Sequence, residues 1–179
     1  AIKKAMDRIE NASDMEAKLI RALYTLYDKD TYPDAKRRDQ AYLAEMRKLN
    51  RDYPNDPDIA ALYASSYMSI QRWNYWGDQG EPISETLAVA EALERIMSKD
   101  LSHPGVLHLH IHLIEASAEP ERALVAADNL EKTIPIVGHV VHMPSHIYVR
   151  VGQYQKAVEQ NIRSQKVDIE FAEIWGDLP

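Results

Sequence analysis

With 179 residues, 20.5 kDa, 45% hydrophobic side chains and a net charge of −7, the chain has apolar material for a folded core and lacks the basic balance of a nucleic-acid binder. The absence of cysteine removes disulfides, thiolate nucleophiles and cysteine-type metal sites. No run approaches the ~18–20 apolar residues of a membrane span, and AIKKAMDRIENA carries charges where a signal peptide carries an apolar core, so the chain reads as soluble, cytoplasmic or periplasmic.

Residues 2–11 (IKKAMDRIEN) place Ile2, Ala5, Met6 and Ile9 on one side and predict a helix, the second half of a pair whose first half is missing. Together with the lack of an initial Met, this fits a fragment of a longer protein, a processed product or a trimmed chain. Ser13, followed three residues later by Glu16, is the signature of a capping box that opens a second helix with Leu19, Ala22, Leu23 and Leu26 inside, ending near Asp28. The turn DKDTYPD follows. Residues 35–52 then predict a helix buried through Ala41, Leu43, Ala44, Met46 and Leu49. The only short basic cluster, Lys36-Arg37-Arg38, shares that helix with acids, which argues against a phosphate-binding face.

The segment DYPNDPD is a turn. Residues 59–70 (IAALYASSYMSI) form a small-residue helix packed on more than one side, and RWNYWGDQGEP is a connection longer than a usual helix–helix turn. Trp73, Tyr75 and Trp76 in this loop either cap an end of the core or form an aromatic wall facing a ligand. The helix predicted next spans 82–99, with Ser84 as N-cap and Leu87, Leu93, Ile96 and Met97 inside. His103-Pro104-Gly105 turns the chain into a helix over 105–117, with Pro104 as a first helical residue. EPERALVAADNLEKTI is its partner, and Pro135 ends that pair. The last pair is 140–151 and 153–172, with Gly152 between. Pro144 requires the first of these helices to begin near His139 to Val141 or to kink, since a proline deep inside a helix costs about 3 kcal/mol.

All seven histidines fall between His103 and His146. His108 and His142 are 34 residues apart, as are His112 and His146. This offset is the length of one helix-turn-helix unit of the tetratricopeptide type. Residues three and four apart share a helix face, so His108, His112 and Glu115 form one stripe. Leu107, Ile111 and Ile114 form the neighbouring apolar stripe, with Val141, Ser145 and Tyr148 as their counterparts, and are expected to pack inward. Equivalent positions of stacked units lie side by side, which should bring His108, His112, His142 and His146 together with Glu115, and with His139 as an additional ligand or supporting partner. Neutral imidazole is a ligand for Zn, Cu or Ni, and a His pair at i, i+4 has the geometry for it. The alternative is a hydrogen-bonded polar network without metal. His110, about 200° from His108 around the helix, is assigned to packing or surface, and His103 to the turn.

GQYQKAVEQ (152–160), with Tyr148 before it and Ser164 after it, resembles the tetratricopeptide pattern of glycine, aromatic and alanine. HPGVLHLHIHLIEASAEPERALVAADNL followed by GHVVHMPSHIYVRVGQYQKAVEQN resembles a family of bacterial tetratricopeptide-repeat (TPR) proteins with HPG, IHxxEAS, PERAL and HxxHMPxHIY blocks. That resemblance implies an all-α, right-handed solenoid of antiparallel helix pairs over the whole of 1–179, with its clearest repeats at 104–137 and 138–172. It also implies that the stripe of His108, His112 and Glu115 faces the concave groove. Peptide-binding members of the superfamily place Lys, Arg and Asn there as a carboxylate clamp; histidines in an acidic region depart from that pattern.

These readings converge on a binding or scaffold module with a histidine-lined groove for a divalent transition metal, a protein or peptide partner, or a small ligand. Arg150, Trp73, Tyr75 and Trp76 are the further groove candidates. A metal-dependent hydrolase using the same histidines is the alternative, although no HExxH motif occurs and no oxyanion-hole loop accompanies Ser117 or Ser145. A structural interaction domain of a longer protein is the third reading. No phosphate loop is present, and no membrane or nucleic-acid partner is expected.

Overall fold

The computed structural model describes residues 1–176. Among these the protein is about 70% helical and has no strand. The helices are α1 (Ile2–Met6), α2 (Asp14–Tyr24), α3 (Ala35–Asp52), α4 (Pro57–Gln71), α5 (Thr86–Met97), α6 (Pro104–Ile114), α7 (Leu124–Thr133), α8 (Gly138–His142), α9 (Pro144–Arg150) and α10 (Tyr154–Trp175). Short 3₁₀ turns occupy Ile9–Asn11 and Pro120–Ala123. None of the described helices is long and apolar enough to cross a membrane. The chain groups into two compact units, residues 1–73 and 74–179.

In the first unit α2 packs on α1 and α3, and α3 packs along α4. The starts of these helices are chemically marked. Ser13 and Glu16 form the reciprocal capping box, each side chain serving the other residue's backbone N–H. Asp34 caps α3 through the Arg37 N–H, and Asp56 caps α4 through the Ile59 N–H, with Pro57 in the first turn, where its missing donor leaves no bond unmade. The predicted inner positions Leu43, Met46 and Leu49 are buried, as are Ile59, Ala60, Tyr63, Ala64 and Tyr67 of the two-sided α4. The single helix expected over 2–11 is instead α1 followed by a 3₁₀ turn.

In the second unit α6 packs between α5 and α7, α9 crosses α7, and α10 lies along both α8 and α9. Here one expectation fails. The helix predicted from Pro82 with Ser84 as its cap begins only at Thr86. Ile83 N–H donates to the Tyr75 carbonyl, and Pro82 bridges Trp76, so this stretch is drawn into an extended loop contact, while Ser84 takes a left-handed φ of 54°. Thr86 Oγ1 then donates to the carbonyls of Tyr75 and Ile83, closing the loop under the first turn of α5. Leu87, expected inside, lies on the solvent side at 44% exposure.

The stretch around Pro144 resolves as the sequence required. α8 begins at Gly138, four residues before His142, and Pro144 opens α9 after Met143, which itself keeps helical dihedrals (φ −52°, ψ −39°). The two short helices therefore continue one another with the backbone bond that proline cannot make omitted. Ser164 Oγ donates to the Gly138 carbonyl at 2.9 Å and ties the start of α8 to α10. Gly152 takes φ of 78° in the turn from α9 to α10, a conformation that other residues adopt only with strain. Tyr148 fastens α9 to α7 by donating its hydroxyl to Asp128 at 2.7 Å.

Candidate metal centre

The core stripe and the histidine stripe of the second unit lie on neighbouring faces of the same helices. On α6, Leu107, Ile111 and Ile114 are fully buried, and Val141, Ser145 and Tyr148 of α8–α9 are buried with them. This fixes the rotation of both helices. His108 and His112 then stand one turn apart beside the core stripe, and Glu115 follows where α6 ends. His139, His142 and His146 occupy one face of the α8–α9 course.

Five imidazoles and one carboxylate come together there. Ring centroids are 4.8 Å apart for His108 and His112, 5.0 Å for His108 and His139, 5.5 Å for His112 and His146, and 4.9 Å for His142 and His146. His108 Nε2 lies 3.1 Å from His139 Nε2, and His142 Nε2 lies 3.0 Å from His146 Nε2. Glu115 spans the cluster, with Oε1 3.2 Å from His112 Nδ1 and Oε2 2.5 Å from His146 Nδ1. Two sets of three potential ligands, His108–His112–His139 and His112–Glu115–His146, each keep their donor atoms within 4.8 Å of one another.

The hydrogen bonds decide which ring nitrogens are available. A carboxylate only accepts, so His112 and His146 each place a proton on Nδ1 and donate it to Glu115; in the neutral form of such a ring the lone pair lies on Nε2. Asn161 sets His142 in the same way. Its Nδ2 donates to the Ala157 carbonyl, which turns Oδ1 toward His142 Nδ1 at 2.8 Å and draws the proton there. Ser145 Oγ makes a longer contact of 3.4 Å to the same nitrogen. An imidazole whose far N–H is held by a carboxylate or amide oxygen is the usual arrangement around a bound transition metal.

Burial and the surrounding imidazoles disfavour the protonated forms of His108 and His139. Burial, then repulsion from His112, His139 and His146, holds His108 down to about 4. His139 is lowered for the same kinds of reason, burial first and then His112, His142 and His146. Burial alone would raise Glu115, but the hydrogen bonds from His112 and His146 outweigh it and bring the carboxyl down to about 2. At neutral pH the cluster thus offers an ionised carboxylate with unprotonated His108 and His139.

Not every sequence candidate joins this site. Arg150 is exposed at the end of α9. Tyr75 is 3% exposed and has no face left for a ligand, while Trp76 donates its indole N–H to the Leu113 carbonyl on α6 at 2.6 Å. These two therefore belong to the packing of the second unit. Trp73 is exposed in the first unit. His103 caps α6, its Nδ1 accepting the Val106 N–H at 3.1 Å. Asn161 was not among the residues singled out by spacing; it reaches His142 only because α10 folds back along α8.

His110 has gone inward. It is fully buried, with Nε2 3.2 Å from Glu94 Oε1, and Arg122 pairs with the same oxygen at 2.8 Å. Its Nδ1 has no partner, which fits a neutral ring donating from Nε2. Replacing His110 by Gln should lower the thermal stability of the metal-free protein by roughly 1–3 kcal/mol, because a buried partner of Glu94 is lost and the ring volume is not refilled. Metal affinity of the folded fraction should stay within about twofold; calorimetric melts and metal titration of the same preparation check both halves.

No family profile matches this sequence, and no curated protein matches it. Among solved structures the fold is similar to two of MamA, a TPR protein. One, described as MamA MSR-1 C2, is 13% identical with a TM-score of 0.63 and covers 96% of this chain and 89% of its own. The other, a crystal structure of MamA, is 14% identical with a TM-score of 0.64, covering 97% and 88% respectively. At this identity the likeness establishes an all-α, TPR-like fold and nothing of the chemistry at the histidines.

Proposed function

We propose that this protein is a TPR-like scaffold of the bacterial HPG/HxxHMPxHIY type that holds a divalent transition-metal ion, Zn, Cu or Ni, against α6 and α8–α9 and presents it to a protein or peptide partner. The observation that carries this reading is the set of orienting hydrogen bonds: His112, His142 and His146 are each held by an oxygen on Nδ1, and the Nε2 atoms of His142 and His146 face one another. With their protons on Nδ1, neutral His142 and His146 would turn lone pairs toward one another, a contact that a shared cation would join.

The distances fit as well. Two nitrogens on one ion at about 2.0–2.1 Å are roughly 3.3 Å apart at a tetrahedral angle and roughly 2.9 Å at a right angle. The Nε2 separations of 3.1 and 3.0 Å fall in that interval. His108, His112 and His139 form the set that small side-chain rotations would bring onto a single ion, with Glu115 holding His112 from behind. The hydrolase alternative is less well served: both Glu115 oxygens are occupied by imidazole N–H groups, and Ser145 is 4% exposed in the packing stripe. Equilibrium dialysis of metal-stripped protein against Zn²⁺, Cu²⁺ and Ni²⁺ tests the reading. At least one ion per chain at micromolar concentration is expected, and no uptake at neutral pH overturns it.

A further inference from the structure

The geometry points to a second metal position in the same cluster, on the facing Nε2 atoms of His142 and His146, so that the centre holds two ions. This inference rests on the metal-binding reading of His108, His112 and His139. It goes beyond it in the number of ions, in the ligands of the second one and in the role of Asn161.

Neither of the two candidate three-residue sets contains His142. Yet His142 is oriented as firmly as any other ring of the cluster, through Asn161, which Ala157 in turn holds. Its Nε2 and that of His146 face one another at 3.0 Å, and neither neutral ring has a proton left to place between them, because both have given it to an oxygen on the far side. Either a proton on one of the two rings or a cation between them joins these lone pairs, and the nitrogens have the spacing of adjacent ligands on one ion. His108 and His139 present a second facing pair at 3.1 Å. His112 stands beside His108 on one side and His146 on the other, at 4.8 and 5.5 Å between ring centroids.

Glu115 is placed to serve both positions. One oxygen holds His112 of the first set, and the other holds His146 of the second. A single carboxylate divided in this way orients one ligand of each ion, and its negative charge offsets part of the charge that two adjacent cations bring. With only two side chains, the second ion keeps coordination positions for water or for an oxygen ligand of a partner, and it binds more weakly than the first.

The experiment is a titration of the metal-stripped full chain with Zn²⁺ by calorimetry, repeated with Cu²⁺ and read by electron paramagnetic resonance. Two binding steps are expected, with a dipolar-coupled Cu²⁺ spectrum at saturation. His142→Gln should remove the weaker step and the coupling and leave the tighter step within about threefold. Asn161→Leu should weaken the second step about 10–100-fold, whereas Asn161→Asp, which keeps an acceptor, should preserve it. One step that survives His142→Gln overturns the second position and leaves the proposed function standing. One step lost in both His108→Gln and His142→Gln means a single shared ion, which also overturns it. No step at all removes both readings. Equal losses in Asn161→Leu and Asn161→Asp, with circular dichroism unchanged, overturn the orienting role.

Discussion

Changing His112 and His146 together to Gln should abolish metal binding at micromolar concentration and with it the metal-dependent rise in melting temperature. Each change removes a ring whose Nδ1 is held by Glu115, so neither three-ligand set stays intact and only the facing pair His108–His139 remains of the first. An ion at 100 times its dissociation constant stabilises the native state by about 2.7 kcal/mol, and for a chain of this length that is several degrees of melting temperature. The double variant should show none of that increment, while its metal-free stability falls by roughly 1–2 kcal/mol because Glu115 loses both imidazole donors. His103→Asp is the matched control. It keeps the cap on α6, lies outside the cluster, and should retain the full metal response. Metal stabilisation persisting undiminished in the double variant would show that the ion sits elsewhere.

The helical period exposed most of this fold, because burial on one face leaves its mark every three to four residues. It placed α3 over 35–52 and selected Leu107, Ile111 and Ile114, with Val141, Ser145 and Tyr148, as the inward stripe. It failed at 82–85, where Pro82 and Ile83 answer to Trp76 and Tyr75 on the other side of the loop instead of to the helix that follows. The histidines show a related limit. The 34-residue offset correctly brought His112 to His146, but it put His108 opposite His142, and its contact is His139. The hydrogen-bonded contacts across the cluster, His108 with His139 and Glu115 with His146, run at an offset of 31, one helical turn short of the repeat. A repeat length identifies equivalent positions, whereas contacts depend on how far one helix is staggered along the next. Asn161 could not have been found this way at all, since its role comes from a side chain of α10 and a tautomer of α8.

Lowering the pH from 7 should destabilise the metal-free protein in two successive stages. His108 titrates near 4 in the folded chain against an ordinary 6.5, so the unfolded chain takes up this proton first. Its contribution to stability is complete above about pH 6.5 and disappears as the pH falls to about 4; the lowered His139 acts in the same direction. Glu115 titrates near 2 against an ordinary 4.5, so its contribution is complete above about 4.5 and is lost between there and about 2. Differences of this size correspond to at most ~3.4 kcal/mol, and partial exposure of both groups reduces this to roughly 1–2 kcal/mol apiece. Urea unfolding midpoints measured from pH 7.5 to 3 should therefore fall continuously, with no plateau near pH 5. His108→Gln should flatten the limb between 6.5 and 4 without abolishing it, because His139 remains. Glu115→Gln should flatten the lower limb and, by freeing His112 and His146 to turn, weaken metal binding at neutral pH as well. A parent protein whose stability is constant between pH 6.5 and 4.5 would mean that His108 is protonated as readily folded as unfolded, and that the imidazoles are not held close together in the burial described above.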